Sequence, residues 1–169
     1  MITSGAGGQR GEGIAMRIFD WLKKLGGGGN PASSDMSGEL VFDAGKEEFG
    51  GLNFKTAIDA HMKWKMRLSA VIDGTSTEQL DPDVIGRDDQ CVLGKWIHGE
   101  GGRNYEDSML FLKLRDDHAT FHRCAANVLR EALTGDKEQA RIMLTTGEYS
   151  RASMHVTSAL AKLYARYMS

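Results

Sequence analysis

No stretch of this chain approaches the run of about eighteen apolar residues that a bilayer-spanning helix needs, and the N-terminus lacks the long apolar segment of a secretory signal. The expectation is a cytoplasmic protein. Charge of one sign is also scarce: 21 Lys and Arg against 23 Asp and Glu leave a formal net charge of −2. That balance offers no basic field for phosphate backbones, so no nucleic-acid partner is expected. Cysteine is scarcer still. Cys91 and Cys124 are the only two, too few for a disulfide framework, and in a reducing compartment each reads as a thiol or a metal ligand. Strand-length alternation of apolar and polar residues is missing too, which leaves helices as the building material. What remains is ordinary: 169 residues, 41% hydrophobic and 26% charged, suit one soluble domain with one core.

Glycine is unevenly placed. Residues 1–52 hold 13 of the 21 glycines, with the run Gly26 to Gly29, Pro31 and the polar cluster "PASSDMSG". Such a segment buries too little apolar surface to offset its ordering entropy, so a disordered Gly-rich arm is expected there. One island interrupts it. "MRIFDWLKKL", residues 16–25, sets Ile18, Phe19, Trp21, Leu22 and Leu25 against Arg17, Lys23 and Lys24. It suits a docking peptide for a partner or a membrane surface, or a flap that folds back on its own domain. Met16 competes with Met1 as the start of translation.

From Asn53 the pattern turns helical, and residues 53–169 read as a single bundle. Phe54, Ile58, His61, Trp64, Lys65, Leu68 and Ile72 recur at steps of three and four, with Asn53 as cap and Gly74 as stop. A loop broken by Pro82 follows to about Asp88, then a short helical turn in "DDQCVLGKWIHG", opening behind acidic capping residues and ending at Gly99. A second long pattern runs from about Tyr105 to Leu133, with Phe111, Leu114, His118, Phe121, His122, Ala125, Val128 and Leu129 on its inner stripe. Gly135 stops it. Asp136 can cap a last helix reaching Tyr167, with Gly147 as a weak point that allows a kink or close approach. The prediction is an all-α protein, an antiparallel four-helix bundle with one short broken helix.

His118 and His122 stand four apart, which puts both imidazoles over one helix face. Spacing alone only permits a metal. His61 on the inner stripe of the first helix and Cys91 at the start of the short turn can face the same interior, and that agreement favours a shared ion. Three imidazoles and one thiolate suit zinc, with copper next. A bundle di-iron site places Glu three residues before His, whereas the residues there are Ile58, Lys95, Arg115, Ala119 and Ala152. Four ligands would close the sphere and leave no water to activate, so an enzyme is not expected. Oxidation of Cys91 to sulfenic acid would weaken one ligand, which makes it the candidate redox-sensing residue; the alternative is a purely structural ligand. Cys124 points away from His122 on the wheel and reads as packing. His98 reads as a surface residue, a hydrogen-bonding support or a weaker ligand, and His155 as a surface or core histidine. Trp64 and Trp96 read as core anchors beside the site.

In this order, "AHMKWK" with His61, "CVLGKWIHGEG" with Cys91 and "HATFH" with His118 and His122 resemble the bacterial chemoreceptor zinc-binding domain, CZB, over about residues 53–166. The resemblance implies that these four residues bind one zinc inside a four-helix bundle and that the domain forms a homodimer. Gly94, Trp96, Phe121 and Trp64 are the supporting residues of the same motifs. It also implies a regulatory role in bacterial signalling, in chemotaxis or cyclic-di-GMP control, with output set by zinc or by hypochlorous acid acting on the zinc-bound cysteine. The chain departs from the usual arrangement in carrying neither a coiled-coil signalling region nor a cyclase domain. It is expected to be a stand-alone member that works through a separate chemoreceptor or diguanylate cyclase, with membrane contact only through residues 16–25. Two other readings stay open: a structural zinc protein without a sensing role, and a hemerythrin-like metal-binding bundle.

Overall fold

The computed structural model describes residues 48–168. Residues 1–47, with the 16–25 segment and most of the expected arm, lie outside the described residues, as does Ser169. At the arm's end, β1 (Glu48–Phe49) pairs antiparallel with β2 (Leu52–Asn53), Glu48 opposite Asn53 and Phe49 opposite Leu52. Gly50 and Gly51, at φ 54° and 77°, make the two-residue turn that such a hairpin requires. Its strands are too short for alternation to announce them. Leu52 nevertheless enters the core, and Phe49 stacks on Tyr167 with ring centroids 5.2 Å apart.

Asn53 then starts α1 (Phe54–Asp73). Its side-chain oxygen accepts the Thr56 N–H at 2.9 Å, and Gly74, left-handed at φ 75°, ends the helix by donating to Val71 O. The stretch expected to be loop contains α2 (Pro82–Ile85), one turn capped by Asp81 with Pro82 in the first helical position, where a missing N–H costs nothing. Next come α3 (Val92–Trp96), a wide π-type turn over Ile97–Gly101, and α4 (Gly102–Tyr105). The "CVLGKWIHG" turn therefore runs past Gly99. Its cap is Cys91 itself rather than the acidic residues before it, because the Cys91 sulfur accepts the Gly94 N–H.

Ser108, extended at ψ 118°, moves the start of the second long helix from the expected Tyr105 to Met109; this is α5 (Met109–Thr134), which ends at Gly135. The predicted last helix is divided into α6 (Lys137–Thr145), capped by Asp136, and α7 (Glu148–Met168). The break falls at Gly147, where a Cβ would lie 2.7 Å from Met143 Cα, so the tight turn at the end of α6 needs glycine there.

Pairwise contacts fix the directions. Along α5 and α7, Asp117 meets His155 and Phe121 meets Tyr149, so one helix rises as the other falls. Phe54 meets Tyr164, while Met66 shares a groove with Ser150, which sets α1 against α7 in the same sense. Residues 82–96 run back along α5: Asp83 pairs with Arg130, Ile85 with His122, Cys91 with His118 and Trp96 with Phe111. The result is an antiparallel four-helix bundle in which α2 to α4 form the broken arm and α6 with α7 the last one. The inner stripes of α1 and α5 fall where the period puts them: Phe54, Ile58, Leu68, Ile72, Phe111, Leu114, Phe121, Ala125, Val128 and Leu129 are all buried. Two expected members of the α1 stripe depart from it, Trp64 being half-buried and Lys65 exposed. No described helix is long and apolar enough to cross a membrane.

Candidate metal centre

Three arms each deliver part of one cluster. α1 supplies His61, the broken arm Cys91, and α5 both His118 and His122. Their ligand-capable atoms all lie within 4.8 Å of one another. All three histidines are buried, and Cys91 is partly so.

Histidine buried this deeply is normally satisfied on both nitrogens. Here it is satisfied on one. The Nδ1–H of His61 donates to Ala57 O at 2.7 Å and that of His122 to Ile85 O at 2.6 Å, while the Nε2 atom of each is buried without a protein partner. A backbone carbonyl can only accept, so each contact fixes the tautomer and leaves Nε2 with its lone pair free, the form a metal ligand needs. His118 turns its Nε2 to the Cys91 sulfur at 3.3 Å.

The local electrostatics keep these rings neutral. Burial lowers the pKa of His61 to about 4, against the raising effect of its bond to Ala57, and lowers that of His118 to about 2 with the other imidazoles adding to the shift. His122 is also lowered, first by burial. Cys91 moves the other way: burial pushes its thiol up, and the Gly94 N–H, 3.3 Å from the sulfur, pulls it down. At neutral pH the set therefore offers three neutral imidazoles and a thiol that a cation would convert to thiolate.

The supporting residues hold this arrangement to different extents. Gly94 is buried, and a Cβ there would sit 1.6 Å from the Asp88 carbonyl oxygen, so only glycine lets the Cys91 turn lie against residues 88 and 89. Phe121 is fully buried, its ring 5.0 Å from His61, 5.5 Å from His122 and 5.4 Å from Tyr149. Trp96 is buried against Phe111 and Tyr105 and donates its indole N–H to Gly50 O, tying the broken arm to the hairpin. Trp64 turns its ring to Arg67, whose guanidinium carbon lies 4.0 Å from the ring centre. The carbonyls of Ala57 and Ile85 were not legible as site groups, since every residue carries one and only the fold brings Ile85 O to His122.

The remaining candidates stay outside the cluster. Cys124 is buried on another face of α5, among Arg123, Asn127 and Glu148. His98 is exposed, with Nε2 2.9 Å from an Asp88 carboxylate oxygen, and His155 is exposed with Nδ1 3.8 Å from Asp117. No carboxylate belongs to the group of four, so the two-iron arrangement has no support among the described residues.

Residues 61–129 match the family model described as the chemoreceptor zinc-binding domain. That stretch begins at His61 and contains Cys91, His118 and His122. No curated protein and no solved structure matches the chain significantly.

Proposed function

We propose that His61, Cys91, His118 and His122 hold one zinc ion in a regulatory module of bacterial signalling, a reading supported by the match of residues 61–129 to the chemoreceptor zinc-binding domain model. The observation that carries this reading is the pair of orphaned Nε2 atoms on His61 and His122, aimed into the same small volume as the Cys91 sulfur and His118 Nε2. Three nitrogens and one sulfur match the donors zinc prefers, and the carbonyl bonds behind two of the rings are the kind of outer support that zinc histidines use. When bound, zinc supplies a positive charge that stabilises the Cys91 thiolate and links the three ligand-bearing arms. With four protein donors the set leaves no position for substrate, which favours a binding role over catalysis.

Regulation enters through Cys91. It is the least buried of the four and the only one that oxidises readily. Hypochlorous acid takes two electrons from the thiolate sulfur; the sulfur gains the hydroxyl oxygen and proton as sulfenic acid, and chloride leaves. The sulfenic acid is a poorer donor, so the link between the broken arm and α5 loosens and the changed surface is read by a separate chemoreceptor or diguanylate cyclase, with a homodimer as the working unit in the cytoplasm. The test is zinc release on stoichiometric hypochlorous acid. The reading predicts release in step with Cys91 sulfenic acid; retention of zinc until surface methionines are consumed would leave a structural zinc protein.

A further inference from the structure

Outside the metal centre, an apolar recess lies between α1 and α7. It is a groove of about 340 Å³. Met62, Met66, Leu144, Tyr149 and Met154 give it apolar walls, and Met66 and Met154 are 66% and 37% exposed. Exposed flexible thioethers beside a recess suit an apolar segment laid over them. On the rim, Asp59 is taken by Lys55, whereas Lys63 and Lys65 have no ion-pair partner among the described residues. The occupant should therefore be apolar and acidic.

The chain carries such a segment just ahead of the bundle. "ELVFD", residues 39–43, sets Leu40, Val41 and Phe42 between Glu39 and Asp43. Where the described chain begins matters equally. Glu48 pairs with Asn53 at the foot of α1, so the chain that precedes it is tethered at that end of the helix. At about 1.5 Å per residue, Met62 lies roughly 13 Å along α1 from Asn53. Residues 39–43 are five to nine positions before Glu48, a reach of roughly 17–32 Å when extended. Distance, charge and apolarity agree. Residues 16–25 fit less well, because Arg17, Lys23 and Lys24 would face Lys63 and Lys65 with like charge.

We propose that residues 39–43 of the same chain cover the α1–α7 groove, with Leu40, Val41 and Phe42 on the methionines and Glu39 and Asp43 toward Lys63 and Lys65. This does not rest on the zinc assignment. Carbodiimide crosslinking of the full chain, which joins a lysine amine to a carboxylate within contact distance, tests it when labelled and unlabelled protein are mixed. The expected result is crosslinks from Lys63 or Lys65 to Glu39 or Asp43 within single chains. They should fall about tenfold in Phe42→Asp, the effect of losing one buried aromatic side chain, and persist in Phe19→Asp. Unchanged helical circular dichroism of Phe42→Asp checks that the variant keeps its fold. The proposal is overturned if these crosslinks are absent, form only between chains, run instead to residues 16–25, or survive Phe42→Asp.

Discussion

The backbone N–H of Gly94 and the space where its side chain would be both serve Cys91. The N–H reaches the sulfur, and the missing Cβ lets the turn rest on the Asp88 carbonyl. Gly94→Ala drives a carbon into backbone that cannot swing aside, at a cost on the order of 1–3 kcal/mol, and displaces the thiol. The expected outcome is a lower melting temperature together with reduced zinc content; a variant that melts and loads like the wild type would separate Gly94 from the site. His61 gives a pH signature in metal-free protein. Its folded pKa of about 4 lies below the ordinary 6.5, so as pH falls below 6.5 the unfolded chain takes up a proton that the folded chain refuses. Stability is fully present above 6.5 and is lost progressively toward pH 4, by roughly 2 kcal/mol from this one group at pH 5. Urea unfolding at pH 7 and pH 5 measures the loss, which should shrink in His61→Phe; an equal loss in both proteins would assign it elsewhere.

Helix ends and breaks decide which residues reach the centre. Asn53 sets the start of α1 eight residues ahead of His61, and Asn53→Ala removes one cap bond worth about 1 kcal/mol. A melting temperature lower by several degrees with unchanged zinc content is expected, because the inner stripe still places His61; loss of zinc would mean that the cap also orients the ligand. At this scale the sequence was most legible where helices are long. The three- and four-residue steps from Phe54 to Ile72 and from Phe111 to Leu129 named nearly the whole buried face, and with it His61, His118 and His122. Legibility failed where structure is short. A one-turn helix such as α2 has no period to read, and the hairpin at Glu48–Asn53 has two-residue strands. The last helix splits at a tight local turn in which Gly147 closes on the backbone of Met143, four residues earlier, and no period of apolar residues announces that turn. Ile85 O shows the same limit within the site, since nothing in residues 82–86 announces that their backbone receives a histidine from α5.

Across the whole molecule, the ligands sit on α1, the broken arm and α5, while α7 contributes none but packs on α5 along its length. An ion at their meeting point therefore crosslinks the short broken arm, which has little helix of its own, to two long helices that have their own core. Removing zinc with a chelator should lower the melting temperature and speed amide exchange across residues 82–105 more than across α5, because binding to the folded state alone adds stability by mass action. Equal exchange with and without chelator would place the ion elsewhere. Zinc binding, the redox response and the linkage of the three arms all depend on the identity of the four ligands. Metal analysis of the protein purified without added metal, beside Cys91→Ala and His118→Ala, tests that directly. About one zinc per wild-type chain, lost or strongly reduced in both variants with their helical content retained, is the predicted result; full zinc content in both variants, or iron in its place, would contradict it.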